Sequence, residues 1–347
     1  MADLVIILGA GASCDSGAPM MGDFLDRARH LLDTGLVNDW RNEFELVFRA
    51  QGQLSAVHSK ARLDFINLES VFNSFEMAAQ LRKFPGLSQE EIDRLGPSIT
   101  TVIVRTIELC MKFPMGGGVP QPPSSYGSLA DFVKSIQVDR KPPLSVALLT
   151  FNYDIGLDVA LRAKRMPFTY ALDDSQAQVL PLLKLHGSLN WVREGDSLRA
   201  LDVGKLLQPR RYFSDEAPNA TGLAIDEHPE AIKGSLPFIV PPTMSKGEYH
   251  RQILPVWRRA AKELGNARHI AVCGYSLPNT DEFFKVLYGL GSQGPEALRS
   301  FLMLDPDPRA HERMRALLGP GAESRFDPHI GSFASLSGLL GKRLRGR

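Results

Sequence analysis

Cysteine is scarce and scattered. The 347 residues contain three, Cys14, Cys110 and Cys273, with no C-x-x-C pair among them. That spacing encodes neither a disulfide framework nor a zinc ribbon, and it suits a reducing, cytoplasmic compartment. His311-Glu312 lacks the second histidine of a zinc-binding helix motif, so no metal is expected. Net charge is nearly absent as well, +1 with histidine neutral. No global field recruits an anionic membrane, and nucleic acid is not directly implied. Only the tail, residues 341–347, is locally basic, and it reads as solvated and frayed. Long apolar runs are missing too: the longest, such as residues 146–149, fall well short of a bilayer span. Met1 leads straight into a strand-like segment without a cationic stretch or small-residue cleavage site, which reads against a secretory signal.

What remains is ordinary globular composition, 44% hydrophobic and 23% charged. Residues 4–8, 146–151, 180–185, 269–273 and 301–304 are short apolar runs, each stopped by a polar or glycine-rich turn. Continuous runs of this length read as parallel strands buried on both faces. They predict an α/β fold, a doubly wound parallel Rossmann-like sheet. Helical spacing dominates between the first two runs, over residues 24–32, 63–81 and 99–111. The expected organisation is therefore a discontinuous sheet domain, residues 1–23 and 144–340, with a helical insertion module over 24–143. Residues 114–125, rich in Gly and Pro, read as a loop. A second, irregular insertion covers 193–249, and its closing residues 238–243 could form a further strand stopped by paired prolines.

Four strand ends carry chemistry. Gly9-Ala10-Gly11-Ala12-Ser13 is a small-residue turn that could bring backbone N–H groups, and the N-terminus of a following helix, up to a pyrophosphate. A plain tight turn is the alternative. Cys14 stands where the dehydrogenase fingerprint needs glycine or alanine, which disfavours that version. Thr150-Phe151-Asn152-Tyr153-Asp154 places an amide and a carboxylate where strand gives way to loop. Asn152 could fix a ribose hydroxyl or an attacking water, while Asp154 could bind ligand or simply cap the next helix. Lys184-Leu185-His186-Gly187-Ser188 offers an imidazole for general-base work, followed by a glycine that would let substrate come close. Gly274-Tyr275-Ser276-Leu277-Pro278 adds a hydroxyl, Ser276, able to hold a phosphate. Asp305, closing the fifth run, could accept from an adenosine ribose or serve as a turn-former.

Taken in order, these four blocks resemble the signature blocks of the sirtuin superfamily, and especially the divergent bacterial sirtuin-like NADases. The resemblance covers roughly half the chain. It implies that Gly9, Ala10, Gly11 and Ser13 lie in an NAD-cradling loop, and Asn152 and Asp154 in a nicotinamide-ribose block. His186 then falls at the catalytic histidine, and Gly274 and Ser276 in an adenosine-side loop. Three scattered cysteines cannot build the four-cysteine zinc module of protein-deacylating sirtuins. Met20-Met21-Gly22 stands where those enzymes usually have Asp-Phe-Arg. Water thus becomes the expected acceptor, and an NAD⁺ hydrolase acting in antiphage defence the expected function. The alternatives are an NAD-dependent protein deacylase and a non-catalytic nucleotide-binding subunit of a larger complex. The resemblance also implies activation through homo-oligomerisation, or through an ATPase or Argonaute-type partner protein.

Overall fold

The computed structural model describes residues 1–57, 68–173, 178–208, 220–223, 236–242, 251–278 and 281–345. Parts of two expected segments, the helix over 63–81 and the insertion over 193–249, lie outside the described residues, as do 346–347. The chain opens with strand β1 (Leu4–Leu8) and helices α1 (Phe24–Asp33), α2 (Arg41–Val57), α3 (Leu68–Leu81) and α4 (Gln89–Cys110). Next come strands β2 (Phe113–Gly116) and β3 (Val119–Pro120), helix α5 (Ser124–Lys134), β4 (Val146–Thr150), α6 (Gly156–Ala163), β5 (Phe168–Thr169) and β6 (Leu180–Lys184). Strands β7 (Trp191–Glu194), β8 (Ser197–Ala200), β9 (Leu207–Gln208) and β10 (Ala220–Leu223) follow. The last part holds α7 (Leu254–Asn266), β11 (His269–Cys273), α8 (Glu282–Gly291), β12 (Ser300–Leu304), α9 (Pro308–Leu317), α10 (Pro320–Glu323), β13 (Phe326–His329) and α11 (Leu336–Arg345).

Seven strands make one sheet in the order β13-β12-β11-β1-β4-β6-β5, and every pairing in it is parallel. Because successive side chains alternate between faces, β1 feeds two cores at once. Val5 and Ile7 pack with α7, α8 and α9, while Leu4, Ile6 and Leu8 pack with α5, α6 and α11. The fold is a doubly wound α/β sheet, as the apolar runs predict. Strand order reverses between β1 and β11, and the crevice at such a switch point is where open sheets bind ligands.

The residues between β1 and β4 form a third core, in which α1–α4 pack on one another through Phe44, Phe75, Leu95 and Val102. Helix α5 behaves differently. Its Leu129, Ala130 and Val133 lie against the sheet, so the sheet-bound part of the chain resumes at 124, where the sequence pattern placed the boundary at 144. Within residues 114–125, expected as loop, β2 and β3 pair as a hairpin that joins β10 and β9 in a small second sheet. The tail is also corrected. Residues 341–345 extend α11, because Leu340 and Leu344 fall on one helix face and are buried, and Arg343 pairs with Asp327 at 2.8 Å.

Candidate active site

The turns after β1 and β11 touch through their backbones. A methyl group at Gly9 would lie 2.5 Å from the Gly274 carbonyl oxygen, and one at Gly274 would lie 2.5 Å from the Ala12 nitrogen. Gly274 also sits at φ +61°, in the left-handed region that favours glycine. Several N–H groups of the first turn are engaged within the protein: Gly9 donates to Cys273 O (3.0 Å), Gly11 to Gly274 O (2.9 Å) and Ala12 to Gly9 O (2.9 Å). Gly9 and Gly11 thus make room for the neighbouring turn, and Ala10 and Ser13 are the members of this loop that face the cavity described below. The expected helix N-terminus is corrected too. Residues Ala10–Ser16 form a 3₁₀ turn, ended by Gly17 at φ +84°, and α1 starts only at Phe24.

At the end of β4, the Asn152 amide donates to Gly9 O (2.8 Å) and to Ser13 Oγ (2.7 Å). A carbonyl can only accept, so the orientation of this amide follows from its partners. Both amide hydrogens are engaged, and what Asn152 can offer a ligand is its carbonyl oxygen, an acceptor. Ser13 Oγ donates to Asp154 Oδ2 (2.5 Å) and accepts from the Tyr126 hydroxyl (3.0 Å). Asp154 Oδ1 accepts from the Gly156 N–H (2.8 Å), so the carboxylate, one residue before the Ile155 N-cap, engages the first N–H of α6 while it also faces the cavity. Burial pushes the Asp154 carboxyl above its ordinary value, against the opposing pull of Lys184 and Ser13. Burial and the Asp154 charge likewise hold the Tyr126 hydroxyl well above the usual phenol range.

At the end of β6, the half-buried His186 ring stands edge-on to Phe151, centroids 5.1 Å apart, and is tilted against Tyr153 at 6.4 Å. Gly187, at φ +84°, would bring a methyl group to 2.4 Å from Phe238 O. Its glycine is required by the protein's own chain at 238–240. Val240 donates to His186 O (2.8 Å) and Ser188 to Phe238 O (2.9 Å). Residues 238–242 therefore make one bridge, Gly187 with Ile239, where a strand was expected. Pro241 and Pro242 supply no N–H to extend it, and Thr243 lies outside the described residues.

These ends enclose a cavity of about 260 Å³. Of the residues predicted from sequence, Ala10, Ser13, Asn152, Asp154, His186, Gly274 and Ser276 line it. Asp305 is not brought to it. It follows β12, beyond β11 in the sheet, and its Oδ1 accepts from the Asp307 N–H (2.9 Å). The sequence reading did not single out Glu69, Tyr153, Tyr275 or Asp281, which also line the cavity. Tyr275 stacks on Phe151 at 4.1 Å and donates to Asp281 at 2.6 Å. Glu69 had a signal: it is a carboxylate beside Leu68, Val71 and Phe72 on an otherwise apolar helix face. The far wall comes from α1, α3 and α4, through Phe24, Leu68, Ile103 and Ile107. Among the described lining residues, three carboxylates and one imidazole carry the titratable charge, and there is no lysine or arginine.

Among the described residues no three His, Cys, Asp or Glu side chains cluster so as to hold a metal ion. No described helix is long and apolar enough to cross a membrane. No family model matches the chain, and no curated protein matches it at a significant level. Among solved structures it is similar to that of Sir2Tm bound to a propionylated peptide, at 12% identity and a TM-score of 0.35, over 99% of this chain and 93% of that one. It is similar also to a Sir2 crystal structure in complex with the inhibitor EX-527, 2′-O-acetyl-ADP-ribose and a deacetylated p53 peptide. The identity there is 12% and the TM-score 0.35, over 99% of this chain and 94% of the other.

Proposed function

We propose that this chain hydrolyses NAD⁺ at its nicotinamide–ribose bond, releasing nicotinamide and ADP-ribose. The observation that carries the reading is convergence: Asn152 and His186, from the ends of the adjacent strands β4 and β6, line one cavity beside the switch point of the sheet. At about 260 Å³ the cavity is below the usual range of roughly 300–1,000 Å³ for a whole small-molecule ligand. It fits one end of a dinucleotide, with Ser276 and the 274–278 turn left for the adenosine side.

Bond breakage spreads positive charge over the ribose. The carboxylates of Asp154, Glu69 and Asp281 suit that charge in a site shielded from water. Asn152 Oδ1 is an acceptor and can orient a water molecule or a ribose hydroxyl. The His186 imidazole takes the proton that the attacking water loses, a role worth about 10²–10⁴-fold by general-base precedent. Water as acceptor follows from the departures at Met20-Met21-Gly22. The same sequence resemblance supports NAD⁺ depletion in antiphage defence. It also supports activation by self-association through the helical insertion, or by an ATPase or Argonaute-type partner.

Chromatography of NAD⁺ and its products tests this, with the purified chain alone and with the proteins encoded beside it. His186→Ala and Asn152→Ala should each lower kcat per folded molecule by about 10²–10⁴-fold, with NAD⁺ binding only modestly weaker. His186→Ala should keep its melting temperature, while Asn152→Ala should lower it by removing the donor to Gly9 O and Ser13 Oγ. Near-parental turnover by His186→Ala under activating conditions would remove His186 from the chemistry. NAD⁺ loss that requires an acyl-lysine peptide would make the reaction a deacylation.

A further inference from the structure

Beneath the two turns that carry Asn152 and His186 lies a closed ring of polar side chains, of which Asp158, Lys184, Ser188 and Asn190 are buried and Tyr170 half-buried. Lys184 Nζ, whose side chain is 1% exposed, donates to Asp158 Oδ2 (3.0 Å) and to Ser188 Oγ (2.6 Å). Ser188 donates to Asn190 Oδ1 (2.6 Å), and Asn190 Nδ2 donates to the Tyr170 hydroxyl (3.0 Å). Tyr170 closes the circuit by donating to Asp158 Oδ1. The third Lys184 hydrogen goes to the Asp154 backbone carbonyl (2.6 Å). Asp154 lies two residues beyond Asn152, and Ser188 lies two residues beyond His186. One ammonium therefore joins both turns, and all three of its hydrogens are engaged.

Burying an ammonium and a carboxylate is a poor route to stability, because a well-packed apolar set of the same volume commonly does as well or better. What the ring provides that an apolar set would not is direction. Lys184 fixes the Asp154 carbonyl, Ser188 and Asp158 relative to one another, and a fully satisfied buried network has a single arrangement. We propose that Lys184, held by the Asp158–Tyr170–Asn190–Ser188 ring, is a positioning residue that sets the His186 imidazole relative to the Asn152 carbonyl oxygen. This rests on the NAD⁺-cleaving reading for its effect on rate, but not for its effect on geometry. A displacement of about 1 Å between reacting groups is enough for about a 10²-fold loss of rate.

Three variants test it: Lys184→Met, the charge-neutral pair Lys184→Met with Asp158→Leu, and the milder Tyr170→Phe. Each is followed by melting temperature, by NAD⁺ affinity in calorimetry, by kcat and KM, and by ¹⁵N NMR titration of the His186 imidazole, assigned by its loss in His186→Ala. The charge-neutral pair should fold, bind NAD⁺ within about threefold of the parent, lose about 10²-fold in kcat, and move the His186 signals. Tyr170→Phe should do the same on a smaller scale, and it decides the matter if the paired variant does not fold. A folded variant with parental kcat and unmoved His186 signals overturns the proposal. If the parent itself cleaves no NAD⁺, the functional reading fails, and the imidazole signals alone then judge the clamp: moved signals support it and unmoved signals overturn it.

Discussion

The turns after β1 and β11 are fastened by missing side chains, whereas those after β4 and β6 are fastened by buried ones. In the first pair, Gly9 and Gly274 let two backbones meet at distances that no Cβ could share. In the second, Asp154 and Asn152 on one side and Lys184 and Ser188 on the other belong to connected hydrogen bonds, which Ser13 extends to the turn after β1. The contrast separates two kinds of vulnerability: the glycine contact cannot accept an added atom, and the polar contact cannot lose a donor.

Gly274→Ala attacks the first kind and should have the largest effect on stability, about 3 kcal/mol in urea unfolding, since it combines overpacking with a left-handed backbone. A loss under about 1 kcal/mol would mean that the two turns can part at little cost.

Ser13→Ala attacks the second kind. It leaves Asn152, Tyr126 and Asp154 short of a partner and should cost about 2 kcal/mol. It has a pH signature as well. The folded Asp154 pKa stands above its ordinary 3.8, so the native state holds that proton more tightly, and stability from this group falls as pH rises from 3.8 towards the folded value. Ser13 opposes the upward shift, and its removal enlarges the fall. The stability gap between parent and variant should therefore widen from about pH 4 to about pH 7. A gap that stays constant would show that the Ser13–Asp154 bond does not hold the carboxyl down.

Ser88→Ala is the smallest change and lies outside both fastenings. Ser88 caps α4 and exchanges hydrogen bonds with Glu91. Its loss should cost about 1 kcal/mol and leave NAD⁺ turnover per folded molecule unchanged. Altered turnover would show that the helical module transmits strain to the cavity.

The central strands were legible because each is built mainly of consecutive apolar residues stopped by a turn, as a strand buried on both faces requires. Phe168–Thr169 and Phe326–His329 were not. They are short or polar edge strands, and Pro328 would ordinarily argue against strand. Residues 89–98 of α4 and all of α2 were missed because charged positions there dilute the spacing. At the site, the quoted blocks contain Asn152, His186 and Ser276 because strand ends advertise themselves. The glycines were read as room for ligand, whereas Gly9, Gly11 and Gly187 make room for neighbouring backbone. A turn sequence shows that space is needed but not what fills it, and here the protein's own chain does. Tyr126, Ile103 and Ile107 carry no local mark at all, since their place at the site depends on how α4 and α5 fold back on strand ends distant in sequence.

The contact between Gly9 and Gly274 also has a bearing on synthesis. The two residues are separated by most of the chain, and ribosomes add roughly 5–20 residues per second, so the first turn waits through many seconds of translation before its counterpart leaves the exit tunnel. Until then the cavity lacks the wall made by Gly274, Tyr275 and Ser276. A nascent or truncated chain that carries Asn152 and His186 but stops short of β11 has no completed pocket.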